Sequence, residues 1–122
     1  MTDRERTAAR TWFRGLYAEA LARFALRLKG YGIIASRCRT PAGEIDIVAR
    51  RGGVLAVVEV KARPTLDAAR AALSERQRQR LTRAAGVFLA LHPELAGLTI
   101  RFDVVLVVPG HWPRHIEDAW RA

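Results

Sequence analysis

Residues 40–64 read T-P-A-G-E-I-D-I-V-A-R-R-G-G-V-L-A-V-V-E-V-K-A-R-P, and the rest of the chain can be placed from this stretch. Two apolar runs flank Gly52-Gly53. Such a pair predicts a β-hairpin with a two-residue turn, because type I′ turns need a positive φ at both central residues. The spacing predicts strands over residues 44–51 and 54–63. Pro64 ends the hairpin, since proline cannot continue a central ladder.

A two-residue turn fixes which side chains of the two strands lie opposite each other. It predicts two facing pairs of charged residues, Asp46 with Glu59 and Glu44 with Lys61. Because side chains alternate between the faces of a strand, all four are expected on one side. Opposed carboxylates, with Cβ atoms about 4.5–5.5 Å apart, destabilise a sheet unless a cation lies between them. The alternative is a half-exposed hairpin in which Glu44 and Lys61 form an ordinary cross-strand ion pair.

Length and charge restrict the class of protein and of partner. The chain has 122 residues, which predicts a single domain over residues 1–122. Its formal net charge is +9, which predicts attraction to polyanions, with nucleic acid first. The alternative is an arginine-rich composition without a specific partner, since 19 of the 21 basic residues are arginines. Lys61 is therefore an unusual choice of cation in this chain, and lysine offers a more compact charge than arginine.

Several classes of protein and site are excluded or disfavoured by what the sequence lacks. A single cysteine, Cys38, excludes an internal disulfide framework and a cysteine-based zinc site. No apolar run approaches 18 residues and the N-terminus lacks a signal-peptide core, so we expect a soluble cytoplasmic protein without a membrane segment. No glycine-rich phosphate loop follows a strand, which disfavours nucleotide hydrolysis. His111 and His115 are interpreted as tail residues and not as a zinc pair.

Before the hairpin, the sequence predicts a helix and then a strand. The helix covers residues 3–29, and three- and four-residue spacing predicts its apolar face. That face comprises Trp12, Phe13, Leu16, Tyr17, Ala20, Leu21, Phe24 and Leu28. Glu19 lies on its flank, where it either pairs with Arg23 at i+4 or belongs to a functional site. A short strand is predicted over residues 31–39, followed by a turn at residues 40–43.

After the hairpin, residues 65–73 are ambiguous between a loop and a short helix, and residues 74–91 are predicted to be helical. Ser74 and Gln77 fit a capping box. The apolar stripe of this helix comprises Leu73, Leu81, Ala84, Ala85, Phe88 and Leu89. A central strand is predicted over residues 98–108, interrupted by Asp103, and a last short element over residues 116–120. The order helix–strand–strand–strand–helix–strand predicts an α/β sandwich with a mixed sheet, in which the crossover helix allows parallel pairing of the last two strands.

Arginines cluster at three places along the chain. Arg37 and Arg39 lie in the first strand, and Arg63 lies at the end of the hairpin. The third set surrounds Gln77 on the second long helix and comprises Arg76, Arg78, Arg80 and Arg83. These side chains either form a solvated face or contact phosphates near the hairpin.

The hairpin offers the chemistry of a metal-dependent hydrolase. Asp46 and Glu59 supply two carboxylates for a cation, and Mg²⁺ or Mn²⁺ suits such an all-oxygen site better than zinc. A cation bound there would polarise a phosphodiester and acidify a bound water. Lys61, on the same face, would stabilise the developing charge or orient the water.

The same residues carry a resemblance to a known family. Gly43-Glu44-Ile45-Asp46, twelve intervening residues and Glu59-Val60-Lys61 resemble the PD-(D/E)XK nuclease motif. More narrowly, the chain resembles the bacterial YraN family (UPF0102), which is similar in fold to archaeal Holliday-junction resolvases. The supporting patterns are Gly15 to Ala22 for G-x-x-G-E-x-x-A, Glu59 to Arg63 for E-V-K/R-x-R, Arg76-Gln77 for K-Q, and Arg101 to Val105 for R-F-D-V-V. Ala18 replaces a usual glycine, and Arg76 replaces a common lysine with retention of charge.

The resemblance implies a restriction-endonuclease-like fold and assigns roles. Asp46 and Glu59 would hold Mg²⁺ or Mn²⁺, joined by the Val60 carbonyl and by Glu19 from the helix. Lys61 would be the catalytic lysine and Gln77 a supporting polar group. We therefore expect a metal-dependent endonuclease that hydrolyses DNA phosphodiesters, including those of branched or junction DNA, for which a homodimer would supply two sites. The alternatives are a nucleic-acid-binding protein without turnover and a scaffold in which Glu59 and Lys61 pair only structurally.

Overall fold

The computed structural model describes residues 2–121, except for the side chains of residues 8–14. Within this part of the chain there are three α-helices and one short 3-10 helix: α1 (Asp3–Leu28), α2 (Leu66–Ala71), α3 (Glu75–Leu91) and Pro93–Leu95. There are also five strands: β1 (Gly32–Thr40), β2 (Gly43–Arg51), β3 (Val54–Ala62), β4 (Thr99–Val107) and β5 (Arg114–Trp120). None of the described helices combines the length and the apolar character needed to cross a membrane.

The five strands form one mixed sheet in the order β1-β2-β3-β4-β5. Neighbouring strands are antiparallel except β3 and β4, which are parallel. Helices α2 and α3 lie in the crossover between these two strands, as parallel pairing requires. The predicted α/β sandwich with a mixed sheet is confirmed, and it is consistent with a restriction-endonuclease-like fold. The ambiguous segment after Pro64 forms α2, and the last predicted element is a full strand, β5.

The hairpin between β2 and β3 has the predicted loop length and register near its turn. Arg51 pairs with Val54, and the ladder continues as far as Ile47 with Val58. Only Gly52 of the two turn glycines has a positive φ, 59°, so the predicted type I′ geometry is wrong. Glycine still suits position 52, because the left-handed conformation that this turn requires is strained for other residues.

Two predicted pairs of this hairpin are wrong, because the described ladder ends before it reaches them. Asp46 does not pair with Glu59 in the ladder, and Glu44 does not face Lys61. Glu44 pairs instead with Arg39 of β1, both as a strand neighbour and through an ion pair of 3.6 Å. The expected cross-strand ion pair between Glu44 and Lys61 is therefore replaced by one on the other side of β2.

The face that α1 presents to the sheet differs from the predicted stripe. Its buried residues are Ala18, Glu19, Ala22, Ala25 and Leu26. Of the predicted apolar positions, Tyr17, Ala20, Phe24 and Leu28 are exposed, while the side chains of Trp12 and Phe13 lie outside the described part. Small alanine side chains let the helix backbone approach the sheet closely. The face that packs best against the sheet is therefore the alanine face and not the one with the largest apolar side chains.

Helices α1 and α3 cover opposite faces of the sheet. One core cluster joins α1 to Ile47, Ala49, Ala56 and Val58. The other joins α3 to Ile45, Val48, Leu55 and Val57. The predicted stripe of α3 is confirmed, with Leu81, Ala84, Ala85 and Phe88 buried. The strands β2 and β3 are thus covered on both sides, and this explains their nearly continuous apolar sequence.

Asp103 interrupts the apolar run of β4 because it organises a buried polar network. The carboxylate is fully buried and accepts hydrogen bonds from Arg101 at 2.8 Å, from His115 Nε2 at 2.7 Å and from the Asp118 backbone N–H at 3.0 Å. His115 is therefore wrongly interpreted as a tail residue, since it links β5 to β4. Lys29, at the end of α1, lies 2.7 Å from His115 Nδ1 and extends the network to the helix.

The network fixes the charge of Asp103. Burial alone would raise the pKa of this carboxyl, but the hydrogen bonds from His115 and Arg101 outweigh burial and lower the pKa to about 2. The folded state therefore binds a proton at Asp103 less well than the unfolded chain does. Its contribution to the free energy of unfolding is present above about pH 4 and is lost as the pH falls through about 2.

We expect Asp103→Asn to lower the free energy of unfolding by about 3–5 kcal/mol at pH 7, because it leaves Arg101 without its buried counter-charge and weakens the hydrogen bond with His115. Urea denaturation measures the change. The matched control is Asp118→Asn, which removes an ion pair with the exposed Arg121 and should cost less than about 1 kcal/mol. Equal stability of the wild type and Asp103→Asn would show that the network does not hold β5 in place.

Candidate functional site

The candidate site begins where β2 and β3 separate. Asp46 Oδ2 accepts a hydrogen bond of 2.9 Å from the backbone N–H of Val60, so a side chain replaces the next rung of the ladder. The alternation of β2 breaks at the same place, since Ile45 and Val48 both pack against α3 while Ile47 packs against α1. In an antiparallel pair, the N–H and C=O of a residue lie on the same edge of the strand. The Val60 carbonyl therefore faces the opening in which Asp46 lies.

Three acidic residues from three elements line one cavity at this opening. Its volume is about 360 Å³, and its acidic residues are Glu19 of α1, Asp46 of β2 and Glu59 of β3. The remaining lining residues are Gly15, Ala18, Val60, Ala62, Arg63 and Pro64. Gly15 and Ala18 are small, which leaves the cavity open on the helix side. The structure thus brings together the four residues predicted to hold a metal, namely Glu19, Asp46, Glu59 and the Val60 backbone.

Glu59 and Lys61 form a buried ion pair on β3. Lys61 Nζ lies 3.2 Å from Glu59 Oε1, and the two residues are only 7% and 6% exposed. The second carboxylate oxygen of Glu59, Oε2, is buried and has no hydrogen-bond partner among the described residues. An unsatisfied buried carboxylate oxygen costs free energy. Glu59 and Asp46 are close enough for a side-chain hydrogen bond, so either a shared proton or a bound cation would satisfy this oxygen.

The electrostatics of the cavity disfavour three negative charges. Burial, reinforced by the charge of Asp46, raises the pKa of Glu59 to about 7 despite the opposing effect of Lys61. Burial also raises the pKa of Asp46, although the Val60 hydrogen bond works against this. The pKa of Glu19 is raised by burial and by Asp46, and Arg37 offsets part of the increase. Raised carboxyl pKa values in an open cavity are typical of functional sites.

Glu19 is held by a residue that was expected to bind DNA. Arg37 Nε lies 3.0 Å from Glu19 Oε2, so the ion pair of Glu19 is with Arg37, while the predicted partner Arg23 acts on it only through its charge. Arg37 has a φ of 51°, which is strained for a residue other than glycine. The turn between β1 and β2 pairs Thr40 with Gly43, a register that puts Arg37 opposite Asp46. The sequence alone could have placed Arg37 opposite Asp46, because the position of the turn fixes the register of β1 and β2.

The remaining arginines divide between two surfaces. Arg63 lines the cavity. Arg80 lies near it, because its side chain covers Gly43. The charge of Arg80 also offsets part of the increase that burial causes in the pKa of Glu59. Arg78 and Arg83 line a different hollow beside Trp120. The exposed Arg76 begins α3, and the exposed Arg39 is paired with Glu44. Arg78 and Arg83 thus line a different hollow from Arg63, and the predicted phosphate contacts of the four α3 arginines stay a prediction.

Gln77 is not among the described residues that line the cavity. Ser74 accepts a hydrogen bond of 3.2 Å from the Gln77 N–H, which forms half of the predicted capping box. The reciprocal half is absent, because Oε1 of Gln77 is buried and has no hydrogen-bond partner among the described residues. Its supporting role at the site stays a prediction.

The arrangement fits a cation between β2 and β3. Across the described side chains, no three Asp, Glu, His or Cys residues converge closely enough to form a metal cluster on their own. Asp46 and Glu59 nevertheless share the cavity, the Val60 carbonyl faces it, and Glu59 Oε2 is buried without a partner. Such an oxygen-only donor set suits Mg²⁺ or Mn²⁺. Glu19 pairs with Arg37 through Oε2, so its other oxygen, Oε1, would be the one to join.

The raised pKa of Glu59 gives a prediction that needs no metal. Carboxyl ¹³C NMR should show Glu59 titrating near pH 7 and Asp103 near pH 2, which serves as the internal reference. In Asp46→Asn, the pKa of Glu59 should fall, because the charge of Asp46 is one of the two causes that raise it. Since folded Glu59 binds its proton better than the unfolded chain does, the free energy of unfolding should decrease as the pH rises from about 4.5 to 7.

An unchanged Glu59 titration in Asp46→Asn would contradict this account, because the two carboxylates would then not share one cavity. The matched control is Asp67→Asn, which removes an exposed carboxylate on α2 that does not line the cavity. This variant should leave the Glu59 titration close to that of the wild type.

Comparisons with known proteins place the chain in one family. A model described as "Uncharacterised protein family UPF0102" matches residues 18–107, a range that includes Glu19, Asp46, Glu59 and Lys61. A UPF0102 protein of Parvibaculum lavamentivorans is 62% identical over 88% of this chain and 80% of its own length. A second, from Methylobacterium nodulans, is 53% identical over 98% and 96% of the two chains. A third, from Brucella canis, is 46% identical over 100% and 97%.

Proposed function

Since the chain belongs to UPF0102, a family whose name states no activity, we propose its function from the site itself: a metal-dependent endonuclease that hydrolyses DNA phosphodiesters. The observation that carries this proposal is the meeting of Asp46 and Glu59 at an open cavity, with Lys61 beside them and one Glu59 oxygen unpartnered. Two carboxylates and an ammonium group provide the charges that phosphodiester hydrolysis requires.

Each residue of the site has a separate task. Asp46, Glu59 and the Val60 carbonyl would hold Mg²⁺ or Mn²⁺. The bound ion would supply a Lewis acid for the phosphate and an acidified water as nucleophile. Asp46 uses one oxygen to accept the Val60 hydrogen bond, and this contact fixes the direction of its other oxygen. Lys61 is anchored by Glu59, and its ammonium group would stabilise the negative charge that develops on the phosphate.

Arginines near the cavity support nucleic acid as the substrate. Arg63 lines the cavity, and Arg80 lies close enough to act on the charge of Glu59. With a net charge of +9, the chain attracts the DNA backbone at long range. Arg78 and Arg83, on the other surface, would extend the contact to a second segment of backbone. Branched DNA fits two such surfaces, and cutting both of its strands would need the two sites of a homodimer.

We expect the purified chain to cleave DNA in Mn²⁺ or Mg²⁺ and to lose this activity in EDTA. A four-way junction and a linear duplex of the same sequence, resolved on denaturing gels, measure the rate and the structural preference. Asp46→Asn and Lys61→Ala should each lower the rate at least about 100-fold, since each removes a group that acts on the transition-state charge.

The matched control is Asp67→Asn, which removes an exposed carboxylate on α2 outside the cavity and should cleave at the wild-type rate. Cleavage that persists equally in Asp46→Asn and Lys61→Ala would overturn the proposal, because the activity would then come from another site or from a contaminant.

One observation favours a second function, a nucleic-acid-binding protein without turnover. Glu59 and Lys61 form a buried ion pair through one carboxylate oxygen of Glu59. A pair with a purely structural role would have the same geometry. This protein would bind DNA with a steep salt dependence and would bind equally well as Asp46→Asn. Mn²⁺ would then leave the melting temperature unchanged, whereas a cation at 100 times its Kd adds about 2.7 kcal/mol to the free energy of unfolding.

A further inference from the structure

A second cavity adjoins the carboxylate cavity and is not used by the proposed chemistry. Its volume is about 610 Å³, within the usual range of sites for small organic groups. One wall comes from Tyr17, Ala18 and Leu21 of α1. The opposite wall comes from the segment that follows β4, namely Val108, Pro109, Gly110 and His111.

The two cavities share a wall. Ala18, Ala62, Arg63 and Pro64 line both of them, so the end of β3 separates the carboxylates from the apolar hollow. Arg63 carries the only charged side chain among these four residues. A phosphate held by Arg63 would therefore have the carboxylates on one side and the apolar hollow on the other.

The lining of the second cavity suits a flat aromatic group. Tyr17 lines it and is 67% exposed, so most of its surface is available to a ligand. The facing segment has a defined shape, because the His111 N–H donates a hydrogen bond of 3.1 Å to the Val108 carbonyl around Gly110, which has a φ of 78°. An aromatic ring and apolar side chains on opposite walls are the usual partners of a stacked nucleobase.

Charge decides between the occupants that such an apolar hollow could take. A second copy of this chain also carries a net charge of +9 and so suits a hollow lined by Arg63 less well than a polyanion does, whichever surface a homodimer uses. A nucleotide presents an apolar base together with a negative phosphate, and the hollow presents apolar walls together with Arg63. The lining therefore complements a nucleotide in both polarity and charge.

We infer that this second cavity holds one unpaired nucleobase next to the phosphate that is cleaved. The inference rests on the proposed nuclease function and narrows its substrate class to DNA with unpaired nucleotides beside the cleavage point, as in flaps, bulges and branch points. Stacking tolerates every base, so the selection is for DNA structure and not for sequence. Tyr17 is a positioning residue in this scheme, because it acts on the neighbouring base and not on the reacting phosphate.

The test compares two DNAs, a fully paired duplex and the same duplex with a single unpaired 2-aminopurine. Fluorescence anisotropy in Ca²⁺ measures the Kd of the full chain for each, and 2-aminopurine fluorescence reports stacking. We expect tighter binding of the DNA with the unpaired base and quenching of its fluorescence. Tyr17→Ala should weaken binding of that DNA about fivefold to 100-fold and leave binding of the paired duplex unchanged.

Two control variants separate stacking from a general loss of apolar surface. Tyr17→Phe keeps the ring and should bind like the wild type. Leu28→Ala removes a side chain of similar exposure, 64% against 67%, three turns further along α1 and outside the cavity, and should also bind like the wild type. Because Tyr17 is exposed, its substitution should leave the melting temperature within the range of the controls.

Cleavage of the same two DNAs in Mn²⁺ distinguishes this inference from the proposed function. If both DNAs are bound and cut equally by the wild type and Tyr17→Ala, the inference is wrong while the nuclease stands. If no DNA is cut but binding depends on Tyr17 as described, the nucleobase site stands and the nuclease is wrong. If Tyr17→Ala only converts a dimer into a monomer in sedimentation, with unchanged preference for unpaired DNA, the hollow is an interface between copies and the inference is wrong.

Discussion

The hydrogen bond from the Val60 N–H to Asp46 determines the geometry of the whole site. It stands where the next backbone rung between β2 and β3 would be, so the strands separate without leaving that N–H unsatisfied. The separation opens a cavity between two strands that are otherwise buried on both faces. It also fixes the Asp46 carboxylate beside Glu59. A single side-chain contact therefore ends the ladder, opens the cavity and orients the first of its acidic residues.

The site is destabilising without a ligand, and the rest of the fold tolerates it. Three buried or half-buried carboxylates meet there, and burial together with neighbouring carboxylates raises the pKa of each above its ordinary value. Positive charges offset part of this repulsion, from Lys61 on Glu59 and from Arg37 on Glu19. The Asp103 network has the opposite character, since its hydrogen bonds satisfy the buried carboxylate and lower its pKa. One sheet thus holds a carboxylate whose hydrogen bonds are complete, Asp103, and three cavity carboxylates whose hydrogen bonds are not. The first is typical of a structural residue and the second of a functional site.

Local signals predicted the parts of the fold that depend on nearby residues. Gly52 and the apolar runs beside it were enough for the loop length and for the register as far as Ile47 and Val58. The end of that ladder could not be predicted, because alternation assumes a continuous strand and Asp46 interrupts it through a side-chain hydrogen bond. The convergence of Asp46 and Glu59 was expected from facing positions in a ladder, but it results from the separation of the strands. The two carboxylates therefore meet as predicted, but through a different geometry.

Long-range packing limited the other predictions. The size of Tyr17 and Phe24 suggested the wrong face of α1, because close approach to the sheet selects alanines. The contact of His115 with Asp103 joins residues of different strands and leaves no periodic pattern in the sequence. Arg78 and Arg80 are two positions apart and therefore lie on different sides of a helix, which periodicity alone could have shown.

The central claim is that the β2–β3 opening binds a divalent cation, and anomalous diffraction from crystals soaked in Mn²⁺ tests it most directly. The account predicts one strong anomalous peak in the cavity, within coordination distance of carboxylate oxygens of both Asp46 and Glu59 and of the Val60 carbonyl. The absence of a peak there at saturating Mn²⁺, or a peak bound only by other residues, would contradict it.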